Sequence, residues 1–163
     1  MLRQTLGLAA LAGLLMSGTA LAADKLKIGV TATLEGTYTI LGVDGMAGFN
    51  AAVAKYGKTA GGKELEFVVA STDATPDSAV RAVRKLIEQD KVDILLSPLS
   101  GDEGIAVKNF AKTHPELTFV NAASGAQETT YVDPAPNFFR WNMDGAQWQV
   151  GLGRYAYENK GYR

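Results

Sequence analysis

"KVDILLSPLSGDEGIAVKNFAKTHPELTFVNAAS", residues 91–124, decides the fold. Its first part, "KVDILLSP" (91–98), is a short apolar run ending on a proline and reads as a strand. In "EGIAVKNFAKTH" (103–114), Ile105, Ala106, Val107, Phe110 and Ala111 gather on one helical face. "ELTFVNAAS" (116–124) is again a strand. Strand, helix and strand joined by short connections make a βαβ unit, whose two strands lie parallel in one sheet.

The alternation extends in both directions. "KLKIGVTATL" (25–34) is a strand in which Leu26, Ile28 and Val30 alternate with other residues. "GMAGFNAAVAKYG" (45–57) is helical, with Met46, Phe49, Val53 and Tyr56 inward and Gly57 as its stop. "KTAGGK" (58–63) reads as a turn and "ELEFVVAS" (64–71) as the second strand. Thr75-Pro76 opens the next helix with a capping hydroxyl and a proline at the first helical position. Its inward face is Ala79, Val80, Val83, Leu86 and Ile87. Downstream, "APNFFRWN" (135–142) is a shorter fifth strand and "DGAQWQVGLGRYAYENKG" (144–161) a glycine-interrupted helix. The expected class is α/β: an open parallel sheet of order 2-1-3-4-5, with helices on both faces.

Composition narrows the chemistry. The chain has 163 residues, no cysteine, a single histidine and a net charge of −1. Disulfides, thiolate metal ligands and cysteine nucleophiles are therefore excluded, and no basic footprint marks a nucleic-acid partner. His114, followed by Pro115, reads as a helix-end or loop residue. The first 23 residues read as a signal peptide. Arg3 supplies the positive start, "LGLAALAGLLM" (6–16) is too short to span a bilayer, and "SGTALA" (17–22) presents a small-x-small site before Ala23 or Asp24. Export without cysteines fits a bacterial periplasm.

Open parallel sheets take ligands beyond the carboxyl ends of their strands. That rule selects the loops Thr33–Gly42, Ser97–Gly104 and Ala122–Thr129, all rich in Gly, Ser, Thr and Ala. Within "LSGDEG", Ser100 and Glu103 form an S-x-x-E capping box, so Asp102 and Glu103 start a helix. Ser100-Gly101 and Ala123-Ser124-Gly125 remain as two small polar turns on adjacent strand ends. Free amides at such turns suit the carboxylate of a small guest.

Other readings fit less well. Gly42, Gly45 and Gly48 are spaced Gly-x-x-Gly-x-x-Gly, not Gly-x-Gly-x-x-Gly, and stand well after the strand, so they read as letting the helix pack close to the sheet or a second lobe. Glu35, Asp44, Asp73, Asp102 and Glu103 read as helix-terminal caps and solvated acids rather than a metal cluster. No nucleophile elbow, phosphate loop or zinc-helix motif is present.

"IGVTATLEGTYTILGVDGMAGFNAAVAKYG" resembles the mature start of type I periplasmic substrate-binding proteins of the branched-chain amino acid family. "GGKELEFVVASTDATPDSAVRAVRKLIEQDKVDILLSPLSG" and "NFFRWNMDGAQW" continue the resemblance across residues 25–163. It implies a non-enzymatic, two-lobed, monomeric receptor without cofactor or metal, which passes a small solute to an ABC importer's permease in the inner membrane. Residues 24–142 then form the first segment of the N-terminal lobe. Residues 143–163 lead toward a second lobe beyond "GYR" (161–163). The resemblance maps the guest's contacts onto Tyr38 and Leu41, Ser100 and Gly101, and Ala123, Ser124 and Gly125. Gly101 and Gly125 align where amino-acid binders carry Ser or Thr, and Leu41 where they often carry an aromatic ring. The guest is thus an amino acid, an amide or an aromatic acid. A ligand-sensing module of a signalling receptor and an exported metal-dependent hydrolase are the competing readings.

Overall fold

The computed structural model describes residues 25–163; the leader expected at 1–23 lies outside the described residues. One sheet contains β1 (Lys25–Thr33), β2 (Thr59–Ala60), β3 (Lys63–Thr72), β4 (Ile94–Leu96), β5 (Thr118–Asn121) and β6 (Phe138–Arg140). Its order is β2-β3-β1-β4-β5-β6. The five longer strands are parallel in the expected order. The expectation of a wholly parallel sheet is corrected at one edge. There β2, read as part of a turn, pairs antiparallel with β3. Gly61 and Gly62 both adopt positive φ between the paired strands, which is the hairpin chemistry of a two-residue loop.

Among the described residues, five α-helices connect or follow these strands: α1 (Thr39–Tyr56), α2 (Pro76–Glu88), α3 (Gly101–Ala111), α4 (Gly145–Gln149) and α5 (Leu152–Lys160). Right-handed crossovers from β1 to β3, then back over β1 to β4, put α1 on one face and α2 with α3 on the other. The core lies under α2 and α3. Val83, Leu86, Leu95, Val107 and Phe119 are fully buried there. The α1 face is more open, with Leu26, Ile28, Met46, Phe49 and Val53 half-buried and Phe49 edge-on to Phe67. Tyr56, expected inward, is exposed.

Helix boundaries follow local chemistry. Thr75 caps α2 and Pro76 occupies its first position. Ser100 caps α3 in a complete capping box with Glu103, as the spacing predicts. The start of α1 differs, at Thr39 instead of Gly45. Its N-cap, Tyr38, makes no side-chain cap bond, so the sequence carries no cap signal there. The helix expected at 144–161 is two helices, α4 and α5, because Gly151 enters the left-handed region at φ 83°. His114 sits in the turn after α3 and stacks on Phe110 at 4.5 Å.

One surface ion cluster makes a testable contribution. Lys112 and the buried Lys108 both donate to Asp133, and those bonds lower its carboxyl from 3.8 to about 2. A folded-state value below the unfolded one stabilises above the unfolded value and is lost as pH falls through the folded one. Thermal melts between pH 3.8 and about 2 are therefore expected to show falling Tm, a decline that Asp133→Asn makes shallower. Equal slopes in the two proteins would refute the linkage.

Candidate functional site

The sheet's direction of travel reverses at β1 and β4, whose carboxyl ends open a crevice at the topological switch point. Three connections border it. The first runs from Thr33 to α1 and is short, because Leu34 and Glu35 amides both donate to Thr72 O. The second is Ser97–Ser100 before α3, with a cis Ser97–Pro98 peptide. The third is the turn after Asn121, leading to a 3-10 segment at Gln127–Thr129.

A mainly apolar pocket of about 210 Å³ lies between the N-terminal half of α1 and the ends of β1, β4 and β5. Leu41, Met46, Phe49, Pro98, Leu99 and Ala123 line it. Leu41 and Ala123 are thus the two expected site residues on its wall. Tyr38, about half exposed, stands at the start of α1 outside the lining.

The two small polar turns lie side by side: a Cβ on Gly101 would sit 3.7 Å from Ala126 Cβ. Their hydroxyls are already engaged. Ser100 Oγ donates to Ala74 O at 3.0 Å and accepts from Glu103 N at 3.1 Å. Ser124 is fully buried, with its side chain packed against Gly104. The Ser124 hydroxyl, expected toward a guest, lies against Gly104 of α3. What the turns present is backbone. The amides of Gly101, Asp102 and Gly125 have no acceptor among the described residues. At α3 the first two are also favoured donors to an anion by the helix dipole.

The acids do not gather. Glu35 accepts from Ser71 Oγ, Asp73 accepts from Thr75, and Glu103 Oε2 takes the amides of Leu99 and Ser100. The bonds from Thr75 hold the Asp73 carboxyl below its ordinary value. No group of three or more His, Cys, Asp or Glu side chains among the described residues could hold a metal ion.

Two residues without an assigned role in the sequence reading support the third turn. Arg140 reaches it from β6, and the Trp148 ring lies over Gly125, whose carbonyl accepts from Gly145 N at 2.8 Å. The signal for Arg140 was its place in "NFFRWN", at the end of an expected strand; nothing in the local sequence marks Trp148.

Solved structures share this fold. An ABC transporter substrate-binding protein from Sphaerobacter thermophilus is 27% identical with a TM-score of 0.74, over 86% of this chain and 38% of that one. A Rhodopseudomonas palustris ABC transporter solute-binding protein in complex with 4-hydroxybenzoate is 26% identical with a TM-score of 0.71, over 85% and 37%. A leucine-binding protein from Thermotoga maritima is 21% identical with a TM-score of 0.75, over 83% and 38%. The chain thus spans less than two fifths of the length of these proteins. Among curated protein sequences none matches it. Residues 25–163 match the sequence profile of the periplasmic binding proteins, and the chain belongs to that family.

Proposed function

We propose that this chain contributes the first-lobe half of the ligand cleft in a periplasmic solute receptor of an ABC importer. The observation that carries the reading is the set of unspent amides at Gly101, Asp102 and Gly125, in the two turns whose neighbouring residues Pro98, Leu99 and Ala123 line the apolar pocket. That pairing suits a small solute with a carboxylate at one end and an apolar body at the other. An aromatic acid or an apolar amino acid has this form, and the solved relatives include a 4-hydroxybenzoate complex and a leucine-binding protein. Leu41, Ala123 and the exposed Tyr38 cover the apolar body. The amides, rather than the hydroxyls of Ser100 and Ser124, hold the carboxylate. Residues 1–23 direct export and are removed. Residues 24–142 build the lobe, and 143–163 lead toward a second lobe that closes over the solute. The receptor is monomeric, performs no chemistry on its guest and delivers it to the permease.

A thermal-shift titration tests this on the protein expressed from its complete reading frame. At a hundredfold excess over Kd, a native-state ligand adds about 2.7 kcal/mol of stability. A rise in Tm is expected with 4-hydroxybenzoate or leucine, and a smaller one with the corresponding amides. If no aromatic acid, amino acid or amide raises Tm, the reading is wrong.

A further inference from the structure

Arg140 ends β6 beside Asn121 of β5, its register partner. Every N–H of its guanidinium is spent on a neutral acceptor. Nη1 donates to Ser124 O at 2.6 Å and approaches Asn142 Oδ1 at 3.5 Å. Nη2 donates to Ala126 O and to Thr129 Oγ1, both at 2.6 Å. Nε donates to Thr130 Oγ1 at 2.8 Å. The group makes no ion pair among the described residues, so its half-buried positive charge stands behind the turn bonded to neutral acceptors only.

The two carbonyls that Arg140 holds flank Gly125. Asn121 Nδ2 adds a second bond to Ser124 O at 2.9 Å. In a planar trans peptide the N–H points opposite to the preceding carbonyl. Turning Ser124 O toward the guanidinium therefore turns Gly125 N–H away from it, and this is the amide that finds no acceptor. A lysine could supply the charge but not the fork that grips two carbonyls at once.

We propose that Arg140 is a positioning residue for anion recognition: it clamps the 124–126 turn so that Gly125 N–H stands free, and it supplies a positive charge behind it. This rests on the solute-receptor reading and adds the residue that sets its preference for a carboxylate. The guest's charge is met by an oriented amide with a cation in its second layer, without direct contact between Arg140 and the guest.

The test compares each acid with its neutral amide: 4-hydroxybenzoate with 4-hydroxybenzamide, and leucine with leucinamide. Kd values are measured by calorimetry on the protein from its complete reading frame, with circular-dichroism melts alongside. Arg140→Lys is expected to weaken the bound acid about tenfold or more, the scale of one lost hydrogen bond to a charged group, while its amide changes far less. A general packing role would weaken acid and amide equally, and that result overturns the proposal. Unchanged acid affinity overturns it as well, while leaving the solute-receptor reading intact. If the wild type binds neither of these, the acid that raises Tm most in the thermal-shift titration is compared with its amide instead; if no aromatic acid, amino acid or amide binds, that reading falls and this proposal with it. Should Arg140→Lys fail to fold, Thr130→Val decides, because it removes only the Nε acceptor. A selective loss of acid affinity in that variant supports the clamp, and no change refutes it.

Discussion

Gly42→Ala is expected to prevent the chain from reaching its native fold, while Gly45→Ala one turn away folds normally. A Cβ on Gly42 would lie 1.8 Å from Thr33 O, 2.5 Å from Thr33 C and 3.0 Å from Thr33 Cα. All three are backbone atoms of β1, and they cannot rotate aside as a side chain can. Overpacking a well-filled site costs about 1–3 kcal/mol when side chains can adjust. Here α1 must lift from the sheet, so the cost exceeds that range and also opens the wall of the apolar pocket. Gly45 provides the internal control. It meets nothing within 4 Å, so its replacement by alanine gains helix propensity, worth up to about 1 kcal/mol. Urea and thermal melts of the two variants decide the matter. A Gly42→Ala protein with wild-type Tm would show that α1 does not seat on Thr33.

Gly104→Ala is expected to cost stability and ligand affinity together. The added Cβ would meet Ser124 Oγ at 2.1 Å and Ser124 Cβ at 2.7 Å. Ser124 is fully buried, so its side chain has no room to withdraw and the turn must move. The expected loss is about 1–3 kcal/mol, with weaker binding of any solute held by Gly125 N–H. Ser124→Gly in the same chain removes the obstruction. The double variant is then more stable than Gly104→Ala alone, a non-additivity that contacting residues produce and distant ones do not. Strict additivity would place the effect of Gly104 elsewhere.

The strand order was legible because it depends on periodicity and on short connections, both written locally in the sequence. The glycine series shows where local reading ends. Spacing alone marked Gly42, Gly45 and Gly48 as residues that let the helix pack close to the sheet or a second lobe; Gly42 approaches the sheet, whereas a Cβ on either of the other two would meet nothing within 4 Å among the described residues. Which glycine meets the sheet depends on where α1 begins, and Tyr38 announces that start with no capping side chain. Strand β2 escaped notice because two residues carry no period. At the site, the sequence identified the turns but not their sidedness. Ser124 reads as an open polar residue until α3 is seen to pass over it at Gly104. Arg140 lies near the turn only after β6 pairs with β5. Its value comes from the fork of bonds formed there, which no spacing in the chain encodes.

The Trp148 ring over Gly125 gives this turn an optical consequence. Two ring carbons, Cζ3 and Cη2, lie 2.8 and 2.9 Å from where a Gly125 Cβ would stand, so the indole rests directly on the peptide that bears the free amide. Indole emission responds to local polarity and to nearby charge. The chain has two tryptophans, and the other, Trp141, is 73% exposed and far easier to replace. With phenylalanine at 141, the colour of a single fluorophore reports the environment of one turn, and the protein carries its own dye.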